Sequence, residues 1–473
     1  MRRPSTLFVV FTIAAASCRS GAPLLPADAI VEGRTAQPVA VDTVEGSVTV
    51  SVDPGRWKAR QRASDALDFW DRIAILDVPG AERAARSVDE RTFAVALKML
   101  MASDPEGAAI AFRVLHFNAT DADVRARARI GLTMALSWQS DWPALAGIGA
   151  APDSAVHPDS LEAQSGVERW GRALSGVPAP LIEIPDAPVV LPLRRSAFGT
   201  PIVTVRINGH EHEFWLDTGA SMTVLSAEAA VQSGALLAAR DTLALSVIAG
   251  HIPARAAYID SLSIGKVVAR GLGAALVNRG ALRLDLRTVN GVRESVDIDG
   301  VIGTDLLRLL DVTIDAQANT ITLQRPKRDP GAVPNLFWIG YPVVRLITAD
   351  GTPALFGLDT GAEVTFVTAG FLHKQPRTPV AMRRGTISGL GGQEQPTAWV
   401  ARQIALSDGD HAISLSNVPV APDKMWTFVR FDGVLGADVA LASRLHLDFL
   451  NGVFDVRRSA AGPIEKTKVP DGR

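Results

Sequence analysis

The chain has a single cysteine, Cys18, in 473 residues, so no disulfide can form within it and no cluster of thiolates can hold a metal. Charge of one sign is missing as well. Forty-eight Lys and Arg face 50 Asp and Glu, giving a net charge of −2 with no basic block, which speaks against a nucleic-acid surface. Outside residues 7–16 no apolar run approaches the length of a membrane span. Among the eight histidines, His210 and His212 are the one close pair, and they alternate ahead of a strand without a Cys or His cluster. They read as a solvated hairpin face, and neither a metal nor another cofactor is expected. Tyrosine is nearly absent, with Tyr258 and Tyr341 as the two copies.

What the chain does have is a pattern that occurs twice. Phe214-Trp215-Leu216-Asp217-Thr218-Gly219-Ala220-Ser221 is answered by Phe356-Gly357-Leu358-Asp359-Thr360-Gly361-Ala362-Glu363. Each copy is an apolar run that delivers an Asp onto a Thr-Gly turn. A carboxylate at the end of a buried strand is costly unless it is hydrogen-bonded, paired or used. The Thr hydroxyl offers such a bond, and Gly lets the backbone turn where a Cβ would clash. The match extends in both directions. Strand-like runs beginning at Pro201 and Tyr341 precede the two copies, each followed by a turn, Asn208-Gly209 or Asp350-Gly351, that reads as a hairpin. Downstream, Asp299-Gly300-Val301-Ile302-Gly303 is repeated as Asp432-Gly433-Val434-Leu435-Gly436, and the Asp-Gly pairs read as turn residues. A period of roughly 130 to 140 residues is too long for a solenoid and indicates two homologous β-domains in tandem.

At these residues the chain resembles the aspartic proteases, specifically their retropepsin-like branch, over about residues 195–458. The resemblance implies two mostly antiparallel β-lobes that close on each other, with Asp217 and Asp359 as the catalytic pair. It implies that Thr218 and Thr360 interlock beneath the pair and that Gly219 and Gly361 permit its close approach. Hairpin flaps over the cleft fall by position at Ala249, Gly250 and His251 in one lobe and at Gly389, Leu390 and Gly391 in the other. Neither tyrosine lies at a flap tip, so the flap tyrosine of the pepsin branch is missing. The fourth position after each Asp is Ser221 or Glu363, and retroviral members carry an acidic residue there.

The rest of the chain divides around this unit. Residues 1–18 have a basic start, an apolar core and Ala15-Ala16-Ser17-Cys18, which resembles a bacterial lipobox with Ala15 where Leu is usual. That pattern implies export and a lipid anchor on Cys18 in the cell envelope; plain cleavage after a small residue is the competing reading. Residues 19–55 read as a tether, in which Val48, Val50 and Val52 alternate like a short strand that docks on the body. Residues 56–178 are Ala-, Leu- and Arg-rich, with Ser87-Val88-Asp89-Glu90 as a capping box and helix starts at Asp104-Pro105 and Asp121. This helical domain is loosely similar to tetratricopeptide units. A role in binding a protein partner and a bland role as packing for the β-part both remain open, and its tryptophans read as core or interface residues. Asn118-Ala119-Thr120 fits a glycosylation sequon by pattern and reads as a helix-boundary turn. The first lobe is expected over 179–328, entered through a Pro-rich linker, the second over 329–460, and a loose polar tail over 461–473.

The expected fold class is therefore α+β, a helical N-terminal domain followed by two protease-type lobes. The expected activity is endopeptidase action on a peptide or protein by water activated between two carboxyls. A catalytically silent binding module of the same fold is the first competitor, and intact Asp-Thr-Gly in both lobes argues against it. A dimer that exchanges lobes is the second. The copies have diverged, with Trp215 against Gly357, Ser221 against Glu363 and Thr304 against Ala437, which favours a monomer whose lobes fit only each other.

Overall fold

The computed structural model describes residues 48–54, 57, 67–148, 158–196, 199–247, 250–287, 293–384, 387–389, 392–394, 397–423, 425–426 and 428–458. Cys18, the flap positions Ala249, Leu390 and Gly391, and the tail 461–473 lie outside them. Helices and mixed sheets make the chain α+β. Among the described residues no helix is long and apolar enough to cross a membrane.

Two large sheets repeat one another strand for strand. The first runs in the order Leu181–Glu183, Val267–Val277, Val224–Ser226, Gly300–Ile302, His210–Leu216, Pro201–Ile207, Gly250–Ile264 and Leu236–Leu237. The second runs Thr49–Pro54, His411–Ala421, Phe366–Thr368, Gly433–Leu435, Pro353–Leu358, Pro342–Thr348, Thr397–Ser407 and Val380–Arg384. Most neighbours are antiparallel. Each sheet also has two parallel pairings: the strand that ends at the Asp with the later Val-Ile-Gly or Val-Leu-Gly segment, and Val224–Ser226 with Val267–Val277 or Phe366–Thr368 with His411–Ala421.

Side-chain alternation explains these strands. Pro201–Ile207 alternates between buried and more exposed positions, as a strand with one face on the core must. His210–Leu216 starts exposed and ends on three buried residues, so it leaves solvent and enters the core as it nears Asp217. Asn208 (φ 48°) and Gly209 (φ 91°) make the tight hairpin between them. His212 departs from the solvated face expected of it. It is 4% exposed, and its Nε2 lies 2.6 Å from the Ser233 hydroxyl, because alternation along the strand turns position 212 inward between the exposed Glu211 and Glu213 side chains.

A third sheet joins the lobes, in the order Val189–Pro192, Thr320–Gln324, Asp311–Asp315, Ser443–Asp448 and Val453–Arg458. Its central pairing, Ile314 opposite Leu445, crosses from one lobe to the other. Val312, Ile314, Leu445 and Leu447 are buried there, and His446 Nε2 meets Asp311 Oδ1 at 2.8 Å. The Pro-rich stretch before the first lobe, read as a linker, holds two strands of this architecture. Its prolines fall at strand ends or between strands, where a missing N–H leaves no ladder bond unmade. Thr49–Pro54, within the expected tether, is an edge strand of the second lobe and pairs with His411–Ala421 from Thr49 opposite Ser416.

Among the described residues, seven helices between Phe69 and Leu174 fill the space beside the lobes. Their starts follow local capping chemistry: Ser87, Asp104 and Asp121 accept backbone N–H groups, and Pro105 occupies the first turn after Asp104. Lengths run from five residues in Trp142–Ala146 to eighteen in Ala122–Gln139, so no unit of constant length recurs among the described residues. The helices touch both lobes. Trp138 meets Trp338 edge-on at 5.0 Å, Phe93 meets Phe428 at 5.5 Å, and Trp170 donates to the Ala244 carbonyl at 3.4 Å. Arg308 of the first lobe donates to the Trp138 carbonyl. Tryptophans 138, 142 and 170 are thus interface or core residues.

Candidate active site

The site begins with two strand ends held from beneath. The Asp217 N–H donates to the Ile302 carbonyl at 3.0 Å and the Asp359 N–H to the Leu435 carbonyl at 2.9 Å. The second half of each repeat therefore fixes the backbone that carries each carboxyl. Past the Asp the chain turns back over it. Asp217 Oδ1 accepts from the Gly219 and Ala220 N–H groups at 2.7 and 3.2 Å, and Asp359 Oδ1 accepts from Gly361 and Ala362 at 3.0 Å each. With one oxygen of each carboxyl occupied by its own loop, the side-chain torsion is set before any ligand arrives.

The two turns then lock to each other. The Thr218 N–H donates to Thr360 Oγ1 at 3.0 Å, and the Thr360 N–H donates to Thr218 Oγ1 at 3.0 Å. Each hydroxyl donates onward across the lobe boundary, Thr218 to the Leu358 carbonyl at 3.0 Å and Thr360 to the Leu216 carbonyl at 2.7 Å. Four buried bonds join the lobes at one point. At about 1 kcal/mol net each, they matter more for geometry than for total stability.

The glycines decide how close the carboxyls come. A Cβ on Gly219 would stand 2.4 Å from Asp359 Cγ, and one on Gly361 would stand 2.4 Å from Asp217 Cγ. Each carboxyl therefore sits against the other lobe's glycine, and any side chain there would drive the pair apart. Asp217 is 3% exposed and Asp359 is 2% exposed. Burial pushes both carboxyls above the ordinary Asp range against the pull of the backbone donors, and the Asp217 charge pushes Asp359 up further. Two such groups cannot both ionise at modest pH, so the pair holds one proton between two carboxyls.

A second tier of carboxyls, not singled out by sequence reading, supports the turns. Asp305 accepts the Thr223 N–H at 2.9 Å and its hydroxyl at 3.1 Å; Asp438 accepts the Thr365 N–H at 2.8 Å and its hydroxyl at 2.7 Å. Burial pushes each of these two up to about 6. The signal was present inside the repeat itself, where Asp299 to Leu307 is answered by Asp432 to Ala440 and Asp305 falls opposite Asp438. The Asp-Gly residues brace strands. Asp432, 1% exposed, accepts from the Leu355 N–H at 2.8 Å and pairs with Lys374 at 2.7 Å, while Asp299 accepts from the Glu213 N–H at 3.3 Å. Tyr341, set aside for its distance from the flap tips, lies fully buried with its hydroxyl against Asp359.

Gly250 and His251 open the long strand Gly250–Ile264 and pair with Val247 and Ser246, so they belong to a hairpin of the first lobe. Gly389 pairs with Gly392 in a small hairpin of the second. Glu363 is exposed and Ser221 half-buried. Among the described residues one group, Asp408, His411 and Asp455, brings three possible metal-ligating atoms within 4.8 Å of one another. Its members already engage each other, His411 Nδ1 lying 3.5 Å from Asp408 and 3.3 Å from Asp455, and Asp408 also accepts the Val456 N–H at 3.0 Å.

No curated protein matches the chain. Among solved structures it is similar to an aspartic proteinase from Irpex lacteus, at 11% identity over 58% of this chain and 98% of that one, with a TM-score of 0.39. It is also similar to a retropepsin-like aspartic protease from Rickettsia conorii, at 19% identity over 31% of this chain and 94% of that one, with a TM-score of 0.20. Residues 203–306, which carry the first Asp-Thr-Gly loop and its Val-Ile-Gly support, match the family model described as Aspartyl protease.

Proposed function

We propose that this chain is an aspartic endopeptidase that hydrolyses peptide bonds with a water activated between Asp217 and Asp359. The observation that carries the reading is the pair of Asp-Thr-Gly loops set face to face and locked by cross-bonded threonines, both carboxyls nearly closed to solvent. In the singly charged state the carboxylate takes a proton from the water, and the carboxylic acid gives its proton to the carbonyl oxygen of the scissile bond. Attack of the water oxygen on the carbonyl carbon yields a tetrahedral diol. As the C–N bond breaks, one carboxyl returns a proton to the leaving nitrogen and the other regains one from the diol. The products are a carboxylic acid and an amine, and the shared proton is restored. Every proton in the cycle travels through the two carboxyls, so activity is confined between the pair's two ionisations.

We also read the working unit as a monomer, because both loops and the sheet between the lobes come from one chain. Export with a lipid anchor on Cys18 remains part of the proposal and rests on residues 1–18 alone. A peptide-library cleavage assay, run with and without a transition-state-mimic inhibitor of aspartic proteases, tests the activity. Inhibitor-sensitive cleavage is expected; absence of cleavage between pH 3 and 8 would refute it.

A further inference from the structure

The two lobes differ at one place beside the carboxyls, and the difference follows a rule. In the second lobe Val343 stands opposite Gly357 in the antiparallel ladder, and continuing that register puts Tyr341 opposite Asp359. In the first lobe Ile202 stands opposite Trp215, and the same continuation puts Thr200 opposite Asp217. Thr200-Pro201 and Tyr341-Pro342 are therefore equivalent positions. Their diagonal neighbours have exchanged bulk. The first lobe combines the small Thr200 with the large Trp215, and the second combines the large Tyr341 with Gly357, where a Cβ would come 2.7 Å from Tyr341 Cε1. Packing volume beside the two carboxyls is thus conserved by a swap across the ladder.

The swap is not chemically neutral. In one lobe the ring is an indole with an N–H on the Asp-bearing strand, while in the other it stands on the neighbouring strand and carries a hydroxyl at its far end. Tyr341 is 1% exposed, and Asp359 and Asp217 are the charged groups that act on its hydroxyl. Its ring packs over Gly357 and stands 6.0 Å, centroid to centroid, from the Phe431 ring. The phenol is held protonated, pushed well above its ordinary range by burial first and by the two carboxyls next. Thr200, at the equivalent position, is fully buried.

We propose that Tyr341 is a positioning residue of the carboxyl pair, donating its hydroxyl proton in a hydrogen bond to Asp359 from within the second lobe and so making the two carboxyls unequal. Each Asp accepts from its own loop in one pattern, and the donors of the two loops differ little. A phenol on one side is a larger difference. A donor aimed at Asp359 stabilises the states in which that carboxyl carries charge and holds its side chain toward Asp217. It therefore eases formation of the singly charged pair that the hydrolytic cycle needs. This inference rests on the endopeptidase reading for its kinetic consequence but not for the contact itself.

Two measurements separate the contact from the activity. The first is a pH–rate profile of Tyr341→Phe, which keeps the ring over Gly357 and removes the hydroxyl. The expected result is a kcat about ten- to a hundredfold lower, KM within about twofold, and an acid limb displaced upward by about one pH unit. Thr200→Val is the matched control, with an acid limb at the wild-type position. The second follows phenol ionisation by absorbance at 295 nm, with the Tyr341 signal obtained by subtracting Tyr341→Phe from the parent. Asp359→Asn should lower its midpoint, because a negative charge facing the hydroxyl is gone. A wild-type acid limb and kcat in Tyr341→Phe would overturn the positioning role. A midpoint unmoved by Asp359→Asn would overturn the contact. A wild type without hydrolysis but with the expected phenol shift would instead uphold the contact and sink the protease reading.

Discussion

Replacing Asp305 by Asn should make the protein more stable above neutral pH and reduce the dependence of its stability on pH. Asp305 is 6% exposed, holds both the N–H and the hydroxyl of Thr223, and has its pKa pushed up to about 6 by burial, against the opposing charge of Arg308. Its folded pKa lies above the unfolded value near 3.8, so folding favours the protonated form. The stabilising contribution is fully present below about pH 3.8 and is lost as pH rises through about 6. The difference corresponds to about 3 kcal/mol by pH 8. Asp438 does the same for Thr365 and titrates in the same direction. Asn retains a carbonyl for the Thr223 N–H and can donate its amide to the Thr223 hydroxyl, yet it cannot ionise. Urea midpoints measured from pH 4 to pH 8 decide the matter. Wild type should weaken toward pH 8, and Asp305→Asn should gain on it by about 2 to 3 kcal/mol at pH 8 while remaining near or slightly below it at pH 4. Since the Asp217–Asp359 pair titrates in both proteins, the difference between them isolates Asp305. A variant that is less stable than wild type at every pH would refute the argument and make Asp305 a charged structural brace.

Thr360→Val removes the acceptor of the Thr218 N–H and the donor to the Leu216 carbonyl, leaving two buried groups unpaired. Urea denaturation should show a loss of about 2 to 4 kcal/mol, and turnover should fall in the protein that remains folded. Metabolic labelling with a fatty acid should mark the wild-type chain and leave Cys18→Ser unmarked; an unlabelled wild type would end the lipid-anchor proposal.

The parts of the fold legible in the sequence were those governed by local rules repeated twice. The Asp-Thr-Gly turns, the Asn208-Gly209 hairpin and the helix starts at Ser87, Asp104 and Asp121 follow from the chemistry of three or four adjacent residues. The strands inside the Pro-rich stretch before the first lobe were not legible. Their partners, Val267–Val277 and Thr320–Gln324, lie far along the chain, and runs as short as Leu181–Glu183 show little alternation. His212 was misread for a related reason, since its inward direction depends on the Ser233 hydroxyl that receives it. Tyr341 illustrates the limit best. Its equivalence to Thr200 is visible in the sequence, but its meaning depends on the ladder that sets it opposite Asp359 and on the Gly357 that makes room for its ring.

The most direct test of the central claim uses purified Asp217→Asn and Asp359→Asn chains, separately and mixed, against a peptide library that the wild type cleaves. Each variant should retain the wild-type circular dichroism and lose cleavage by several orders of magnitude. The mixture should stay inactive at every concentration, because each chain closes its own lobes on its own damaged pair. Full cleavage by Asp359→Asn, or activity that returns in the mixture and rises with concentration, would contradict a single site built within one chain from both Asp-Thr-Gly loops.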